Sequence, residues 1–409
     1  MEESKILVSK NIMTWQTKKL GEVCEIVNGG TPKTNIKSYW DGDILWITPK
    51  DMGKMDNIYV ARTDRMISDA GLKNSSAKII PQNSVILSTR APIGHLAINI
   101  TEITTNQGCK GLVPHHDLYT KYLYYFLEFS VELLNSLGSG TTFKEISGST
   151  LKDVWIPIPT LAEQKRIVKK LDEVFLGLGE VREKAERNLK NAKELFESYL
   201  QGVFENLGED WEEKNLGDIA NFRNGMNFTK TSKGQTIKIV GVRDFQKSFF
   251  VPFTTLESVT IDGSLNETDL LREGDILTVR SNGNPELIGR TLLAEKVDGD
   301  VSHSGFTIRI RIEDKNVYPV YLCHYLKSKK ARELLVKSGT GTNIKSLNQG
   351  ALTALVIPLP KIAEQNAIVK KLDALSAQTK ELEAIFRKKI AGVDELKKSV
   401  LQKAFAGEL

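Results

Sequence analysis

The sequence predicts an α+β fold. We expect two tandem mixed α/β domains, each followed by a long helix, with the two helices pairing as a pseudo-twofold antiparallel coiled coil. Three observations predict this: the chain repeats itself at an offset near 200 residues, each copy holds a region of short β-rich runs, and each copy ends in more than 40 residues without proline. Solenoid units are only about 20–50 residues long, so a repeat of this length indicates a duplicated domain pair.

The repeat is clearest where each domain passes into its helix. Residues 156–172 read IPIPTLAEQKRIVKKLD and residues 357–373 read IPLPKIAEQNAIVKKLD, with 12 of 17 positions identical at an offset of 201. Near the start of each copy the offset is 196, and it slips to 190 where VILSTR (85–90) matches DILTVR (275–280). The stretches before VILSTR and DILTVR share little. Each copy therefore has a variable front and a repeated back.

Both proline-free stretches carry a heptad pattern. Apolar or small residues recur with a mean spacing of 3.5 from position 168 to 203 and from 369 to 404, which predicts left-handed supercoiling against another helix. A helix of about 45 residues would be roughly 70 Å long, longer than a domain of this size is wide. We therefore expect the two helices to pair antiparallel, since the first must run on to reach the second domain. A plain core helix in each copy is the alternative.

The repeat also sets the expected domain boundaries. They are an N-terminal arm at 1–13, a first globular domain at 14–160, a central helix at 161–207, a second globular domain at 208–360 and a C-terminal helix at 361–409. Both globular domains combine β-rich runs such as VILST and FTIRIRI with one aromatic helical segment, YLYYFLEF at 122–129 and YLCHYLKS at 321–328. This mixture is typical of α+β domains.

Composition excludes several classes of protein. The net charge is only +5 with a pI near 8.8, and the mean hydropathy is −0.24, so bulk charge does not identify a partner. There is no run of 18 apolar residues and no signal-peptide pattern, which predicts a cytoplasmic protein without a membrane span. Three widely separated cysteines argue against a disulfide framework, and the five histidines have no metal-ligand spacing.

Catalytic motifs are missing from both copies. We find no NPPY-like tetrapeptide with a glycine-rich cofactor loop, no phosphate loop of the form GxxxxGK[ST], no GxSxG elbow and no paired carboxylates of defined spacing. A duplication would have doubled any such motif. We therefore predict no catalytic and no metal site in this chain, and a binding or assembly protein.

DNA binding would depend on a few side chains. Residues 14–160 hold 15 basic and 14 acidic residues, and residues 208–360 hold 20 and 19, so nonspecific attraction should be weak. Arginine or lysine can still read guanine directly. The loops GSGTTFK (138–144) and GTGTNIK (339–345) can offer backbone N–H groups to a phosphate, or serve as a helix cap with a turn. The candidate DNA contacts, each with a solvated surface residue as the alternative, are Lys33, Lys37, Lys50, Lys54, Arg62, Arg90, Lys144, Arg223, Lys230, Lys233, Arg243, Lys247, Arg280, Arg309, Arg311 and Lys345.

Taken together, these motifs resemble one family. A Trp-x₄-Leu-Gly-[Glu/Asp] element opens each copy, IP[IL]P-x₂-AEQ-x₂-IVKKLD closes it, and the helices end in YLQGVF and VLQKAF. Over residues 14–409 the chain resembles the DNA specificity subunit of a type I restriction-modification system. The resemblance implies two target-recognition domains that each read one half of a bipartite site in double-stranded DNA.

The resemblance also implies partners. The helices would act as spacer and docking surface, with contacts among Glu163, Gln164, Leu171, Leu178, Glu364, Gln365, Leu372 and Leu382. Two modification (methyltransferase) subunits would carry S-adenosylmethionine chemistry, and restriction subunits would use ATP and Mg for translocation and cleavage, so no cofactor is expected in this chain. Two alternatives stay open: a DNA enzyme without familiar motifs acting alone, and a coiled-coil adaptor without a DNA role.

Overall fold

The computed structural model describes residues 15–140, 144–229, 231–246, 248–337 and 346–409. The predicted arm at 1–13 and the candidates Lys230, Lys247 and Lys345 lie outside the described residues. The chain divides into two compact units. The first holds the described residues up to Ala185 together with Lys388–Leu409, and the second holds Glu186–Arg387. Each unit thus combines one globular domain with parts of both long helices.

The first unit contains ten strands and six short helices in its described residues. The strands are β1 (Gln16–Lys19), β2 (Cys24–Asn28), β3 (Trp40–Ile47), β4 (Tyr59–Val60), β5 (Arg65–Ile67), β6 (Val85–Thr89), β7 (Ile93–Asn99), β8 (Thr104–Thr105), β9 (Cys109–Pro114) and β10 (Trp155–Ile158). The short helices are α1 (Leu20–Val23), α2 (Pro49–Met52), α3 (Asp69–Lys73), α4 (Thr120–Phe129), α5 (Val131–Leu137) and α6 (Gly148–Lys152).

Three sheets organise this unit. A five-stranded sheet has the order β2-β9-β6-β7-β4, a three-stranded sheet has the order β5-β3-β8, and β1 pairs antiparallel with β10. The aromatic helix α4 packs over the larger sheet, and Tyr122, Tyr125 and Phe126 of this helix are buried in the main core. Residues 122–127 are all buried, so the core covers this part of the helix on every side and the rings pack in the core, as expected from the sequence.

The second unit follows the same plan. Its strands are β11 (Glu212–Asn215), β12 (Ala220–Asn224), β13 (Thr236–Val240), β14 (Glu257–Thr260), β15 (Ile276–Val279), β16 (Thr291–Leu293), β17 (Val301–His303), β18 (Thr307–Ile312) and β19 (Val356–Leu359). Its short helices are α8 (Leu216–Ile219), α9 (Pro319–Lys327), α10 (Lys329–Lys337) and α11 (Gln349–Thr353). The sheets have the orders β12-β18-β15-β16, β14-β13-β17 and β11-β19.

The long helices α7 (Leu161–Glu205) and α12 (Ile362–Ala406) confirm the predicted helical pair, with 45 residues in each. Within the first unit they run antiparallel. Arg166, near the start of α7, donates to the carbonyl of Leu409, while Arg182 pairs with Asp394 further back along α12. The fold class read from the repeat, α+β domains with paired antiparallel helices, is therefore the observed one.

The last turns of α7 depart from the predicted heptad positions, and those of α12 bury residues beside the predicted position Ala404, which is itself buried. The pattern places residue 199 in the seam, yet Tyr199 is exposed and Leu200 and Phe204 are buried. The repeat positions Leu401 and Phe405 of α12 are buried in the same way. These turns pack against a globular domain, so a different face turns inward.

Aromatic contacts show what these helix ends pack against. In the second unit Phe204 meets the rings of Tyr321 and Tyr325 on α9, with centroids 5.6 and 5.1 Å away. In the first unit Phe405 meets Tyr122 and Phe126 on α4 at 5.3 and 5.5 Å. The end of α12 therefore occupies in the first unit the place that the end of α7 occupies in the second.

Backbone pairing changes one alignment read from the sequence. The amide of Arg90 donates to the carbonyl of Gly108, and the amide of Ser281 donates to that of Phe306. Arg90 and Ser281 also bridge to positions 145 and 346, which the repeat already matches at 201. Arg90 therefore corresponds to Ser281 and not to Arg280, an offset of 191 instead of 190. Side-chain similarity cannot fix the register of a short apolar strand, whereas hydrogen bonds do.

Candidate nucleic-acid interface

A buried glutamine joins each globular domain to its long helix. In the first unit Gln164 is fully buried. Its Oε1 accepts a hydrogen bond from the amide of Tyr119 at 2.8 Å, and its Nε2 donates to the carbonyls of Asp117 and Pro159, both at 2.9 Å. One side chain thereby satisfies three backbone groups from two segments. It fixes the angle at which α7 leaves the domain.

The second unit repeats this arrangement. Gln365 is also fully buried. It accepts from the amide of Tyr318 and donates to the carbonyls of Asn316 and Pro360, all at 2.8 Å. The AEQ motif therefore has a structural explanation. Because neither glutamine reaches the surface, the docking role expected for Gln164 and Gln365 has no physical basis in these positions.

The other helix candidates divide by burial. Leu171 and Leu372 are fully buried in the cores of their own units, and Leu178 is half-buried. Glu163 pairs with Arg166 on its own helix. Glu364 accepts a hydrogen bond from the Trp211 indole at 3.1 Å, and Leu382 is 38% exposed. Leu382 is thus the most accessible apolar member of this set.

The variable fronts share one turn that sequence comparison missed. The amide of Asn106 donates to Ile47 at the end of β3, and the amide of Ser304 donates to Val240 at the end of β13. Directly after each strand, an aspartate carboxylate accepts the amide three residues before it at 2.8 Å, in a one-turn helix. ITPKDM (47–52) and VGVRDF (240–245) are therefore structural equivalents. The matching cation followed by aspartate was the available signal.

This shared turn places Lys50 and Arg243 at the same position. Both side chains are exposed. Lys50 has no ion pair among the described residues, whereas Arg243 pairs with Glu257 at 2.8 Å. Two domains that otherwise differ in their fronts thus present a cation at one common point.

The front of the first unit also holds a stacked arginine absent from the predicted set. The guanidinium of Arg65 lies 3.5 Å from the ring centroid of Trp40. Trp40 in turn packs edge-on against Trp46, whose indole donates to the carbonyl of Gly30 at 2.9 Å. Arg65 is exposed, with no ion pair in the described part of the chain. Stacking fixes the plane of its fork while leaving its N–H donors available.

Three predicted arginines of the second unit belong instead to an internal network. Arg311 makes a two-point ion pair with Asp275, at 2.8 and 2.7 Å. Arg309 is buried and donates to the carbonyls of Thr268 and Leu270, and Arg223 pairs with Asp269 at 2.5 Å. Arg309 Nε has no hydrogen-bond partner among the described residues, while its Nη1 is held by the two carbonyls. Burial and pairing argue for a structural role of Arg309 and Arg311. Turning Arg311 toward DNA would leave the buried Asp275 carboxylate unpaired, and turning Arg309 would leave the two carbonyls without their donor.

A buried histidine lies beside these arginines. His303 Nδ1 is 2.9 Å from Thr307 Oγ1. Burial, with the nearby Arg309 charge, lowers the pKa of His303 to about 3. The ring is therefore neutral near pH 7 and acts as part of the packed domain.

The remaining predicted cations lie at the surface or near it. Arg280 is half-buried, Lys54 pairs with Asp64 at 2.8 Å, and Arg90 pairs with Glu145 at 3.8 Å. Exposed cations without an ion pair among the described residues are Lys33, Lys37, Arg62, Lys144 and Lys233. Two backbone hydrogen bonds between Ser139 and Glu145 close the loop that carries Lys144. These side chains stay predictions as DNA contacts.

The second unit also contains a cleft of about 370 Å³ in its variable front. Its walls come from segments far apart in sequence, namely Phe228 after β12, the end of β13 with the turn after it, Glu257 on β14, the loop after β15 and the loop between β17 and β18. Phe228 and Phe306 stand at its mouth, and Ser304 lies inside it. Sequence reasoning did not select these residues, because nothing in their spacing marks a cleft built from distant segments.

The described residues hold no group of three or more His, Cys, Asp or Glu side chains able to bind a metal ion, and no helix long and apolar enough to cross a membrane. Burial raises the pKa of Cys24 to about 12 and that of Cys323 to about 11. The Cys323 sulfur lies 3.9 Å from the Thr291 hydroxyl, while the His324 ring packs on Phe249. These two neighbours do not form a nucleophile and its base.

Comparison with known proteins places the chain in a family. The profile described as "Type I restriction modification DNA specificity domain" matches residues 13–188 and again 208–391. The MjaIX specificity subunit of Methanocaldococcus jannaschii is 38% identical over 230 residues, which is 52% of this chain and 53% of that protein. The chain thus aligns with about half the length of this relative. The StySPI specificity subunit of Salmonella potsdam is 26% identical over 97% of this chain and 89% of its own length.

Solved structures share the fold. A chain from a type I R-M system, solved in a study of complex assembly and conformational transition, gives a TM-score of 0.77 at 20% identity, over 98% of this chain and all of that one. The HsdS subunit from Thermoanaerobacter tengcongensis gives 0.59 at 20% identity, over 97% of both chains. With the profile matching twice along the chain, this protein belongs to the type I restriction-modification DNA specificity family and carries two specificity domains in tandem.

Proposed function

We propose that this chain is the noncatalytic DNA-recognition subunit of a type I restriction-modification complex in the cytoplasm. Each globular domain reads one half of a bipartite site in double-stranded DNA. The observation that carries the proposal is the contrast inside the repeat. Both units join domain to helix with the same glutamine contacts, yet present different side chains in their fronts. Two domains that join their helices in the same way but have different fronts suit a protein that reads two different DNA sequences.

The partners follow from the same proposal. Two modification subunits would dock on the helices and bring S-adenosylmethionine, and restriction subunits would bring the ATP- and Mg-dependent steps. The near-neutral charge of each domain supports a need for such partners, since phosphate neutralisation supplies most nonspecific affinity. The isolated chain should therefore bind DNA weakly.

Exchange of one domain tests the recognition role. We would replace residues 14–160 with the matching region of another specificity subunit, co-express the chain with its modification partner and sequence the methylated sites of the host. We expect half of the methylated motif to change and the other half to persist. An unchanged motif would favour the adaptor alternative. Methylation or cleavage by the purified chain alone, with cofactor and Mg, would favour the self-contained enzyme.

The paired helices would also set the distance between the two half-sites. A heptad is about 10 Å of helix, close to three base pairs of B-DNA. Deleting one heptad from both α7 and α12 should therefore shorten the unread spacer by about three base pairs while both half-sites stay the same. The measurement is the same methylated-site map. A spacer of unchanged length in a complex that still methylates would reject the ruler role.

A further inference from the structure

The cleft in the front of the second unit has the features of a ligand site. Two phenylalanines that line the cleft are exposed, Phe306 to 61% and Phe228 to 36%. Behind them Ile239 and Val242 contribute further apolar wall. Exposed aromatic rings around an open cleft in a folded domain indicate a surface that becomes covered on binding.

Close chain packing holds both rings in place. The amide of Met226 donates to the carbonyl of His303, and the amide of Gly305 donates to the carbonyl of Met226. These two hydrogen bonds join the segments. A Cβ at Gly225 would collide with the backbone of Ser304. Glycine at 225 therefore permits the close backbone approach of the two segments that carry Phe228 and Phe306 to the cleft. Backbone hydrogen bonds therefore hold together the two segments that form this side of the cleft.

A polar group inside the cleft still needs a partner. Ser304 is only 5% exposed, and its Oγ has no hydrogen-bond partner among the described residues. A buried hydroxyl without a partner costs free energy unless a ligand completes it. At the rim, Asn282 accepts a hydrogen bond from the amide of Asn284 through Oδ1, and its NH₂ group has no partner in the described part of the chain. The cleft thus combines apolar walls with unused hydrogen-bond donors.

We propose that this cleft reads a thymine in the second half-site, taking the C5-methyl group against Phe228 and Phe306 and the adjacent O4 on the donors of Ser304 and Asn282. Thymine is the DNA base that presents a methyl group next to an acceptor in the major groove. Arg243 at the same cleft supplies positive charge for the neighbouring backbone. The inference rests on the proposed function, and it adds which base chemistry the second domain selects.

Uracil substitution tests the methyl contact, because uracil differs from thymine only in lacking the C5-methyl group. The full chain in complex with its modification subunits would be titrated with duplexes in which each thymine of the second half-site is replaced by uracil. We expect one position at which loss of the methyl group weakens binding about three- to fivefold. The same position should show a clearly smaller uracil effect in Phe306→Ala, which removes one of the two rings that contact the methyl group. Phe250→Ala serves as the matched control, because Phe250 is an exposed phenylalanine of the same unit that does not line the cleft.

A second variant tests the polar contact. Ser304→Ala removes only the hydroxyl and should weaken binding of the thymine duplex about fivefold, with the uracil effect retained. Hydrogen exchange of β17 and β18 would confirm that each variant is folded. A second half-site without thymine on either strand, uracil duplexes that all bind alike, or equal uracil effects in native and Phe306→Ala would overturn the inference. A complex that fails to distinguish its site from a scrambled duplex would instead refute the proposed function.

Discussion

The two units are alike where they hold the helices and different where their fronts face outward. Tyr122 donates to Pro157 at 3.0 Å, and Tyr321 donates to Pro358 at 2.7 Å, so even this minor contact is repeated. In the fronts, a tryptophan pair with a stacked Arg65 in one unit contrasts with an arginine–aspartate network and an aromatic cleft in the other. The two copies are therefore alike where each domain joins its long helix and differ in the side chains of their fronts.

One internal difference lies at the edge of this frame. Tyr125 donates to Asp172 at 2.5 Å in the first unit. The equivalent pair in the second unit is His324 and Asp373, whose Nε2 and Oδ1 atoms are 3.9 Å apart, and His324 Nε2 has no partner among the described residues. The two units therefore differ in a hydrogen bond at this point, whereas they share the contacts of the glutamines.

The glutamine contacts should give the largest effect and the same effect in both units. Gln164→Ala and Gln365→Ala each leave three backbone groups without partners, so we expect each to lower the free energy of unfolding of its own unit by about 3 kcal/mol. Hydrogen exchange resolved along the chain would measure the two units separately. Gln201→Ala is the matched control, because Gln201 bonds only to Glu205 on its own helix and should cost under about 0.5 kcal/mol. A loss confined to one unit would contradict the shared frame.

The second-largest effect that we expect is a loss of stability in acid that affects the second unit more than the first. Burial, aided by the charge of Lys327, lowers the pKa of His324 to about 4, below its ordinary value of 6.5. The unfolded chain then binds more protons than the folded chain between these values. Protonation of His324 alone should therefore lower the free energy of unfolding of the second unit by up to roughly 3 kcal/mol as the pH drops from 6.5 to 4.

Exchanging the two side chains sharpens this prediction. His324→Tyr should remove the contribution of His324 to the acid sensitivity of the second unit and leave that of His303, whose pKa is lowered at least as far. Tyr125→Phe should cost the first unit about 1–2 kcal/mol without any new dependence on pH between 6.5 and 4. Urea unfolding followed by hydrogen exchange at several pH values is the measurement. Equal acid sensitivity of native protein and His324→Tyr would contradict it.

The shared turn of the fronts should give the smallest effect. Lys50→Ala and Arg243→Ala each remove one cation, which should weaken DNA binding by the complex about five- to tenfold and reduce its salt dependence by about one phosphate contact. Glu257→Gln frees Arg243 from its ion pair and should strengthen binding slightly. Lys193→Ala, an exposed lysine on α7, is the control. Unchanged salt dependence in both variants would show that the turn does not face DNA.

Much of the frame could be predicted because it is local or repeated. The heptad spacing determined two long helices, and the duplicated motif at an offset of 201 determined that they follow two similar domains. The candidate site was harder to predict from the sequence. Judged by charge alone, Arg309 and Arg311 were as good candidates for DNA contact as Lys50. The sequence does not show that Asp275 lies beside Arg311. The cleft around Ser304 was invisible for the same reason.

The sequence by itself determined the duplication, the fold class, the helical pair and the family, because each rests on periodicity or on residues close together in the chain. Only the tertiary structure decided which cations are free, that Gln164 and Gln365 are internal, that Arg90 matches Ser281, and that segments distant in sequence enclose a cleft. Ion pairing, burial and strand register depend on groups far apart in sequence. Their outcome is fixed only when packing chooses which of many compatible partners meet.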